Sequence, residues 1–298
     1  MVLKSLNSFI EIAKLKPKKY IAVAAAEDEH VLSAIKSAVI EGLVNPILIG
    51  NIAEVRSISK KIDFDLSSVE LIEENDPKMA CRVAVRIVRE NKAQIVMKGM
   101  VGTADYLKAI LNKEEGLRKG DLLSHIGFFD PPAYHKVIAL TDAAQNIAPT
   151  LDEKVGILKN SIDLFHHLGI QTPRIAMISA VETVNAKMQS STDAALLTMM
   201  NKRKQINGCI IDGPLAFDNA VSKEAAEHKG IVSEVAGETD LIFAHNIEVA
   251  NALYKSFTYF GGASVAAIIL GASAPIVLTS RADSDKSKLM SIALAASY

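Results

Sequence analysis

The sequence ASVAAIILGASAPIVLTS, residues 263–280, closes a longer segment, 256–280, that contains no charged residue. A segment of this length could cross a membrane as a helix, because about 20 apolar residues are sufficient. Gly271 and Pro275 interrupt it, however, and these residue types mark turns. We therefore predict two short strands joined by a turn, at 265–270 and 275–280. Strands that are apolar throughout are typical of a sheet covered on both faces.

Similar apolar runs recur along the chain and alternate with stretches of helical character. The further predicted strands are 21–26, 46–50, 69–72, 94–99, 136–142, 174–180, 209–213 and 240–245. The predicted helices are an amphipathic one near the N-terminus and 27–42, 76–91, 103–112, 151–168, 190–203, 222–229, 246–260 and 283–297. This alternation is typical of parallel strands joined by crossover helices. We predict an α/β fold with a ligand site at the carboxyl ends of the strands.

Length and composition limit the classes to which the chain can belong. A length of 298 residues exceeds what one hydrophobic core comfortably serves, so we expect two lobes. The chain has 33 Lys and Arg against 34 Asp and Glu, so it lacks the basic excess typical of nucleic-acid binding. Cys81 and Cys209 lie far apart and form no CxxC pair, which favours a reducing cytoplasm. We expect no membrane span and no export signal.

Three segments that follow predicted strands could carry chemistry, whereas the GxGxxG, Walker A, GxSxG and HExxH motifs are absent. The first reads TSRADS, residues 279–284, in which hydroxyls, a guanidinium and the first amides of a helix could bind one anion. A serine or aspartate helix cap with an arginine ion pair is the alternative interpretation.

The second segment reads KGMVGTAD, residues 98–105. Here Gly99 would let the backbone approach a phosphate, and Lys98 would supply charge. Thr103 or Asp105 could instead cap the following helix. Both interpretations fit the segment taken by itself.

The third segment reads DGPLAFDN, residues 212–219. Asp212, expected at a strand end, and Asp218 could orient a ligand, or the turn could only close a crossover connection. We expect no metal site, because the adjacent His166 and His167 point about 100° apart on a helix and cannot converge on one ion.

In their order and spacing these segments resemble the phosphate acetyl/butyryltransferase family, over nearly the whole chain. The clearest stretches are KGMVGTADYLKAIL (98–111), LTDAAQNIAPTLDEKVGILKNSIDL (140–164), PRIAMISAVETVNAKMQSSTDA (173–194), IDGPLAFDNAVS (211–222), AGETDLIFAHNIEVANALYK (236–255) and GASAPIVLTSRADSDKSKL (271–289). Together they are highly specific, whereas each one taken singly would be only suggestive.

The resemblance implies a two-lobed α/β fold with a central cleft, like that of isocitrate and isopropylmalate dehydrogenases. Charges, glycines and the turn at 130–132 place the boundary between the lobes in the stretch 113–132. With the C-terminal segment returning to the first lobe, as the resemblance implies, we expect a first domain of residues 1–128 plus 271–298 and a second, dimerising domain of 129–270. The implied activity is reversible transfer of a short-chain acyl group, butyryl or similar, from acyl-CoA to inorganic phosphate. The expected partners are therefore acyl-CoA, phosphate and a second copy of the chain in a cytoplasmic homodimer, with CoA as a substrate and no cofactor.

The resemblance also implies that Ser280 and Arg281 contact the anion and the transition state. A guanidinium fork suits phosphate oxygens, and a hydroxyl can donate to the oxyanion that develops on the thioester carbonyl. Acetyl-specific members of the family carry an aspartate, implicated as a base, where this chain has Ser287. We expect Asp283 or Asp285 to take over that role.

The other implied contacts are distributed along the chain. A family arginine linked to CoA phosphates corresponds to Lys108, which keeps the charge but not the planar fork. Asn251 matches a family asparagine, although Ala250 stands in place of a common glycine and His245 in place of a frequent proline. The expected phosphate and CoA contacts are Lys98, Gly99, Thr103, Lys108, Asp212, Asp218, Asn251 and Thr279.

Three other activities stay open. The first is acetyl transfer, since one methylene changes binding by only about 1–3 kcal/mol. The second is oxidation of a hydroxy acid by a metal- and nicotinamide-dependent dehydrogenase of the same fold, which needs clustered aspartates that the motif positions do not supply. The third is non-catalytic binding of acyl-CoA or phosphate, which the serine at position 287 makes conceivable.

Overall fold

The computed structural model describes residues 2–120, 122–279 and 284–298, and the chain divides into two compact units. The N/C unit consists of Asn7–Leu123 and Ala266–Tyr298. The middle unit consists of Ser124–Val265 together with the N-terminal residues up to Leu6.

Strands and helices alternate along most of the chain, as is typical of α/β proteins. The N/C unit begins with α1 (Asn7–Lys14), β1 (Lys19–Ala24), α2 (Glu29–Ile40), β2 (Val44–Gly50), α3 (Ile52–Lys61), β3 (Glu70–Glu73), α4 (Pro77–Arg89), β4 (Ile95–Lys98) and α5 (Thr103–Ile110). The middle unit contains β5 (Ser124–Phe129), β6 (Ile138–Thr141), α6 (Leu151–His167), β7 (Arg174–Ile178), α7 (Gln189–Lys202), β8 (Ile210–Leu215), α8 (Phe217–Val221), α9 (Lys223–His228), β9 (Leu241–Phe243) and α10 (Ile247–Tyr259). The chain then completes the N/C unit with β10 (Val265–Leu270), β11 (Ile276–Val277) and α11 (Asp285–Ser297).

The chain passes between the units after Leu123 and after Val265, earlier than the expected limits of 128 and 270. Strand pairing explains both positions, because β5 pairs with β6 of the middle unit and β10 pairs with β11 of the N/C unit. The N-terminal residues join the middle unit through the backbone N–H of Val137, which donates to the Leu3 carbonyl at 2.8 Å.

The sheet of the N/C unit has the strand order β3-β2-β1-β4-β11-β10. The first five strands are parallel and β10 is antiparallel to β11. Alanines on both surfaces bring α4 close to this sheet: Ala22 and Ala24 of β1 share one buried cluster with Ala80 and Ala84 of α4. The helices α1, α2 and α11 pack against one another, and α11 is buried along most of its length.

The uncharged segment at 263–280 forms strands, as predicted. Ile269 of β10 pairs with Ile276 of β11, and all six residues of β10 are buried. In the described part of the chain, no helix combines the length and the apolar character that crossing a membrane requires.

The sheet of the middle unit has the strand order β5-β6-β9-β7-β8. β6, β9, β7 and β8 are parallel, and β5 is antiparallel to β6. The carboxyl ends of the four parallel strands therefore lie at one edge. Aromatic side chains fill part of the core of this unit, where the rings of Phe128 in β5 and Phe165 in α6 lie 5.4 Å apart.

Both cysteines are free and buried, Cys81 in α4 and Cys209 directly before β8. Burial raises the pKa of each thiol to about 12. A thiol with such a pKa carries almost no thiolate at neutral pH, so neither cysteine is set up as a nucleophile.

Candidate active site

One edge of the N/C sheet brings together the 98–105 segment and Thr279, the first residue of the 279–284 segment. β4 and β11 are parallel neighbours, and Met97 pairs with Val277. The segment after β4, residues 98–105, and Thr279, which follows β11, consequently lie at the same edge. Open α/β sheets bind their ligands at this position.

The expected catalytic residues Ser280, Arg281 and Asp283 lie outside the residues that the structure describes. Thr279 before them is buried. After them, the Ser284 hydroxyl accepts a hydrogen bond from the Ser287 backbone N–H at 3.1 Å and caps α11. The helix-cap interpretation of the 279–284 segment is therefore correct for Ser284.

Ser287, at the position where the resemblance implies an aspartate in acetyl-specific proteins, is buried and engaged in the cap of α11. Its hydroxyl oxygen accepts from the Ser284 hydroxyl at 3.1 Å, and its carbonyl accepts from the Ser291 hydroxyl at 2.9 Å. A serine hydroxyl keeps its proton at neutral pH, so Ser287 does not act as a base. Asp285 is half exposed, and its carboxylate lies 3.0 Å from Nδ1 of His30.

Gly99 lies where the loop after β4 touches the loop after β1. Its N–H donates to the Ala24 carbonyl at 2.8 Å, and the next N–H, of Met100, donates to the Ala25 carbonyl at 2.6 Å. A Cβ on Gly99 would lie 2.0 Å from the Ala25 carbonyl oxygen. Only glycine lets the two backbones approach this closely. The packing of the loop therefore requires glycine at this position independently of any ligand.

We expect Gly99→Ala to lower the free energy of unfolding by about 1–3 kcal/mol, the usual cost of an extra methyl in a filled space. Urea denaturation measures this loss. Gly120→Ala is the matched control, because among the described residues no atom lies within 4 Å of a Cβ added there. Equal stability of the two variants would contradict the close approach at Gly99.

Lys98 is buried, and its ammonium is directed into its own loop. Nζ donates to the carbonyls of Gly99 at 3.1 Å and Val101 at 3.2 Å. These hydrogen bonds fix the shape of the loop at the end of β4. The positive charge expected for phosphate binding thus also positions the loop.

The first turn of α5 follows this loop directly. Its N-cap is Gly102, and no side chain among the described residues accepts a hydrogen bond there. Thr103, which is exposed, and Asp105 lie inside the helix, so capping by either of them is wrong. The amides of this turn carry the partial positive charge of a helix N-terminus.

A groove of about 350 Å³ lies between α4 and α5. Lys108 lines it from α5, and Lys78, Arg82, Arg86 and Arg89 line it from α4. The α4 cations succeed one another at intervals of three or four residues and therefore share one helix face. We call this feature the basic groove. The resemblance pointed only to Lys108, although the spacing of the α4 cations was visible in the sequence.

The loop after β6, in the middle unit, is fixed by a buried carboxylate that the sequence did not single out. Asp142 accepts hydrogen bonds from the backbone N–H groups of His125 at 3.1 Å and Ala144 at 3.0 Å. Asn251 of α10 donates from its side-chain amide to the Ala143 carbonyl at 3.1 Å. Asn251 thus holds the loop at the carboxyl end of β6.

Asp212 lies within β8, because this strand continues to Leu215. The expected strand-end position of this carboxylate is therefore wrong. Its Oδ1 accepts a hydrogen bond from the adjacent Gly213 N–H at 2.9 Å. A Cβ on Gly213 would lie 2.7 Å from the Met177 carbonyl oxygen, so this glycine too serves a close backbone approach.

Asp218 lies in α8 and forms an ion pair with Lys229 at 3.1 Å. The same ammonium lies 2.5 Å from a carboxylate oxygen of Glu182. Hydrogen bonding to Lys229 lowers the pKa of both carboxyl groups. Asp218 is thus one member of a surface charge network.

Lys154, Asp193 and His245 form a cluster in the middle unit that the sequence did not reveal. Nζ of Lys154 lies 2.5 Å from Oδ2 of Asp193 and 3.0 Å from Nδ1 of His245. Lys154 and Asp193 are almost fully buried, and Gln189 donates to the second carboxylate oxygen at 2.7 Å. Burial and the neighbouring ammonium lower the pKa of His245. Its neutral ring can therefore accept the hydrogen bond from Lys154.

Comparison with known proteins gives full-length similarity to one family. The family model described as "Phosphate acetyl/butaryl transferase" matches residues 5–80 and 76–296. The chain is 47% identical to a phosphate butyryltransferase of Clostridium beijerinckii, over 98% of this chain and 97% of that protein. It is 39% identical to a phosphate acetyltransferase of Thermotoga maritima, over 98% of this chain and 99% of that protein.

Solved structures show the same architecture. A branched-chain phosphotransacylase from Enterococcus faecalis has a TM-score of 0.81 at 32% identity, over 93% of this chain and 97% of that chain. A 4-hydroxythreonine-4-phosphate dehydrogenase from Klebsiella pneumoniae has a TM-score of 0.60 at 11% identity, over 94% and 98%. The second likeness concerns the fold only, and it confirms the expected dehydrogenase-like α/β class.

Proposed function

Because this chain belongs to the phosphate acetyl/butyryl transferase family, we propose that it reversibly transfers a butyryl or similar short-chain acyl group from acyl-CoA to inorganic phosphate. A phosphate oxygen forms a bond to the thioester carbonyl carbon, the carbon–sulfur bond breaks, and the CoA sulfur leaves with a proton. The products are acyl phosphate and free CoA. The 47% identity to a phosphate butyryltransferase, against 39% to a phosphate acetyltransferase, carries the preference for butyryl.

The proposed phosphate site is the edge at which β4 and β11 end. Lys98 and Gly99 fix the loop after β4, and the amides of α5 from Thr103 onward begin directly behind it. Such amides favour an anion. Thr279 leads from the same edge into the segment that carries Arg281. A guanidinium in that segment would bind two phosphate oxygens at once.

Phosphate itself is the nucleophile, so the reaction needs no covalent enzyme intermediate. We assign Arg281 to the phosphate oxygens and Ser280 to the oxyanion on the thioester carbonyl. Asp283 is assigned to take the proton of the CoA thiol when acyl phosphate is the donor, and to return it to sulfur in the opposite direction. The engagement of Ser287 in the cap of α11 supports this choice. Holding both substrates in one site supplies much of the rate gain.

The remaining proposed substrate contacts are Lys108 in the basic groove and three residues of the middle unit, Asp212, Asp218 and Asn251. Each of the three already has a protein partner: Gly213 for Asp212, Lys229 for Asp218 and Ala143 for Asn251. For Asn251 we propose a positioning role, through the loop at the end of β6.

The homodimer and the cytoplasmic location also stay proposals. Two large aromatic side chains at the end of α10 support the dimer, since Tyr259 is 75% and Phe260 is 93% exposed. Exposed aromatic surface of this kind is typical of subunit contacts. The buried free thiols fit a reducing compartment. Sedimentation velocity should show a dimer for the wild type and a monomer for Phe260→Asp; a monomeric wild type would contradict the dimer.

Thiol release tests the reaction and the acyl preference together. We expect release from butyryl-CoA that depends on phosphate, with kcat/KM at least about tenfold higher than for acetyl-CoA. Propionyl- and isobutyryl-CoA complete the series. Highest kcat/KM with acetyl-CoA would make the chain an acetyltransferase. Saturable CoA binding without thiol release from any of the four would make it a binding protein.

A further inference from the structure

The loop between β4 and α5, residues 99–102, presents one exposed side chain at the edge of the proposed phosphate site. Gly99 and Gly102 carry no side chain, and Val101 is buried. Met100, in contrast, is 44% exposed. Single exposed apolar residues are common on protein surfaces. This one lies at the sheet edge at which open α/β proteins bind their ligands, so its side chain can contact a ligand bound there.

Hydrogen bonds fix the backbone on both sides of Met100. Its own N–H donates to the Ala25 carbonyl at 2.6 Å, and the Val101 N–H donates to the Gly99 carbonyl at 2.9 Å. The ammonium of Lys98 donates to the carbonyls of Gly99 and Val101, the two neighbours of Met100. Val101 belongs to the buried core cluster of this unit. The loop therefore holds the methionine at the edge while its neighbour fills the core.

The surface next to this side chain is open. Apart from its chain neighbours, a Cβ on Gly102 would meet a single described atom within 4 Å, Oδ2 of Asp105 at 3.8 Å. Thr103 and Ala104, which follow, are exposed. Methionine is unbranched and flexible, so it adapts its shape to an apolar partner. A fixed loop with one such side chain beside open space suits an alkyl group.

The proposed reaction brings an alkyl chain to this edge. A phosphate oxygen must approach the thioester carbonyl carbon to about 3–3.5 Å before the new bond forms. The acyl chain begins at that carbon. A phosphate bound at the first amides of α5 therefore holds the chain close to the loop that precedes this helix. In that loop, the apolar side chain exposed to such a chain is Met100.

We propose that the acyl chain packs against Met100, and that this contact makes butyryl a better substrate than acetyl. The inference rests on the proposed acyl transfer and names the residue that selects its substrate. Butyryl has two methylenes more than acetyl. Each methylene that leaves water improves kcat/KM by about fourfold, so the two together favour butyryl by roughly 15-fold.

Met100→Ala tests the contact through the ratio of kcat/KM for butyryl-CoA to kcat/KM for acetyl-CoA. We expect this ratio to fall about 5–15-fold because the two additional methylenes lose their partner, whereas kcat/KM for acetyl-CoA should change by less than about twofold. Met100→Leu keeps an apolar side chain of similar volume and should retain most of the ratio. Inhibition by free CoA, which has no acyl chain, should be the same in both variants and the wild type.

Leu111→Ala is the matched control for the loss of an exposed apolar side chain. Leu111 is 41% exposed and belongs to the same unit, but it lies at the opposite end of α5 from the loop. The ratio should not change in this variant. The midpoint of thermal unfolding should change little in Met100→Ala, since the hydrogen bonds that fix the loop involve the backbone of Met100 and not its side chain.

An unchanged ratio in Met100→Ala, or an equal loss of kcat/KM with both thioesters, would overturn the contact and leave the acyl transfer standing. A wild type that favours acetyl-CoA would overturn it as well. A wild type that releases no thiol from any thioester would overturn the acyl transfer instead. Calorimetric titration with butyryl-CoA and acetyl-CoA then still decides the contact: a smaller difference in affinity in Met100→Ala than in the wild type supports it, and an equal difference or no binding overturns it.

Discussion

Replacing Arg281 by alanine is expected to lower kcat/KM for inorganic phosphate in the butyryl-CoA reaction by about 10²–10³-fold, the usual loss when a group that stabilises the transition-state charge is removed. The guanidinium is the proposed bidentate partner of a dianion. The cap of α11 is provided by Ser284, and β11 is held by its pairing with β4. The midpoint of thermal unfolding should therefore change little.

Two further variants identify the contact that the arginine makes. Arg281→Lys keeps the charge but loses the fork, so it should recover only part of the lost rate. Arg118→Ala removes an exposed arginine from the same unit and should leave kcat/KM unchanged. The loss for Arg281→Ala should appear in kcat and in the KM for phosphate, whereas loss in the basic groove should appear in the KM for butyryl-CoA. A wild-type rate in Arg281→Ala would remove Arg281 from the mechanism.

The fully buried strands could be predicted from the sequence because a strand covered on both faces is apolar at every position. β10, VAAIIL, is the clearest case. Three of the described elements have no counterpart among the predicted ones: α3, α8 and β5. α3 buries only Val55 and Ser59, so few apolar residues mark it in the sequence. β5 is buried throughout, but its sequence SHIGFF lies in a stretch whose charges, glycines and prolines suggest a boundary.

The candidate site was predictable in its segments but not in its contacts. Lys98 and Gly99 have the residue types of a phosphate loop, yet the structure shows that both also shape the loop, Gly99 through its contact with Ala25 after β1. The two backbones meet because β1 and β4, which are distant in sequence, are neighbours in the sheet. A local sequence pattern cannot predict such a contact. The Lys154 cluster was missed for the same reason, since α6, α7 and the end of β9 each contribute one of its residues.

Lys154→Ala is expected to lower the free energy of unfolding by about 3–5 kcal/mol at pH 8, because the buried carboxylate of Asp193 loses its counter-charge. Urea denaturation measures this loss. The double variant Lys154→Met/Asp193→Leu should recover most of it, since removing both charges leaves no uncompensated ion. Lys223→Ala is the matched control: it breaks an exposed pair with Glu227 at 3.9 Å and should cost less than about 1 kcal/mol.

The loss caused by Lys154→Ala should be smaller at pH 5.5 than at pH 8. In the wild type the lowered pKa of His245 keeps its ring neutral in the folded state, so stability falls as the pH drops below about 6.5. Without Lys154, Nδ1 of His245 lies 3.8 Å from Oδ2 of Asp193 with no competing cation in the cluster. Asp193 then raises the pKa of His245, and the protonated ring supplies a counter-charge that is lost again as the pH rises. In a His245→Gln background, the loss of unfolding free energy caused by Lys154→Ala should be the same at both pH values. A pH difference that persists in this background would exclude His245 as the replacement cation.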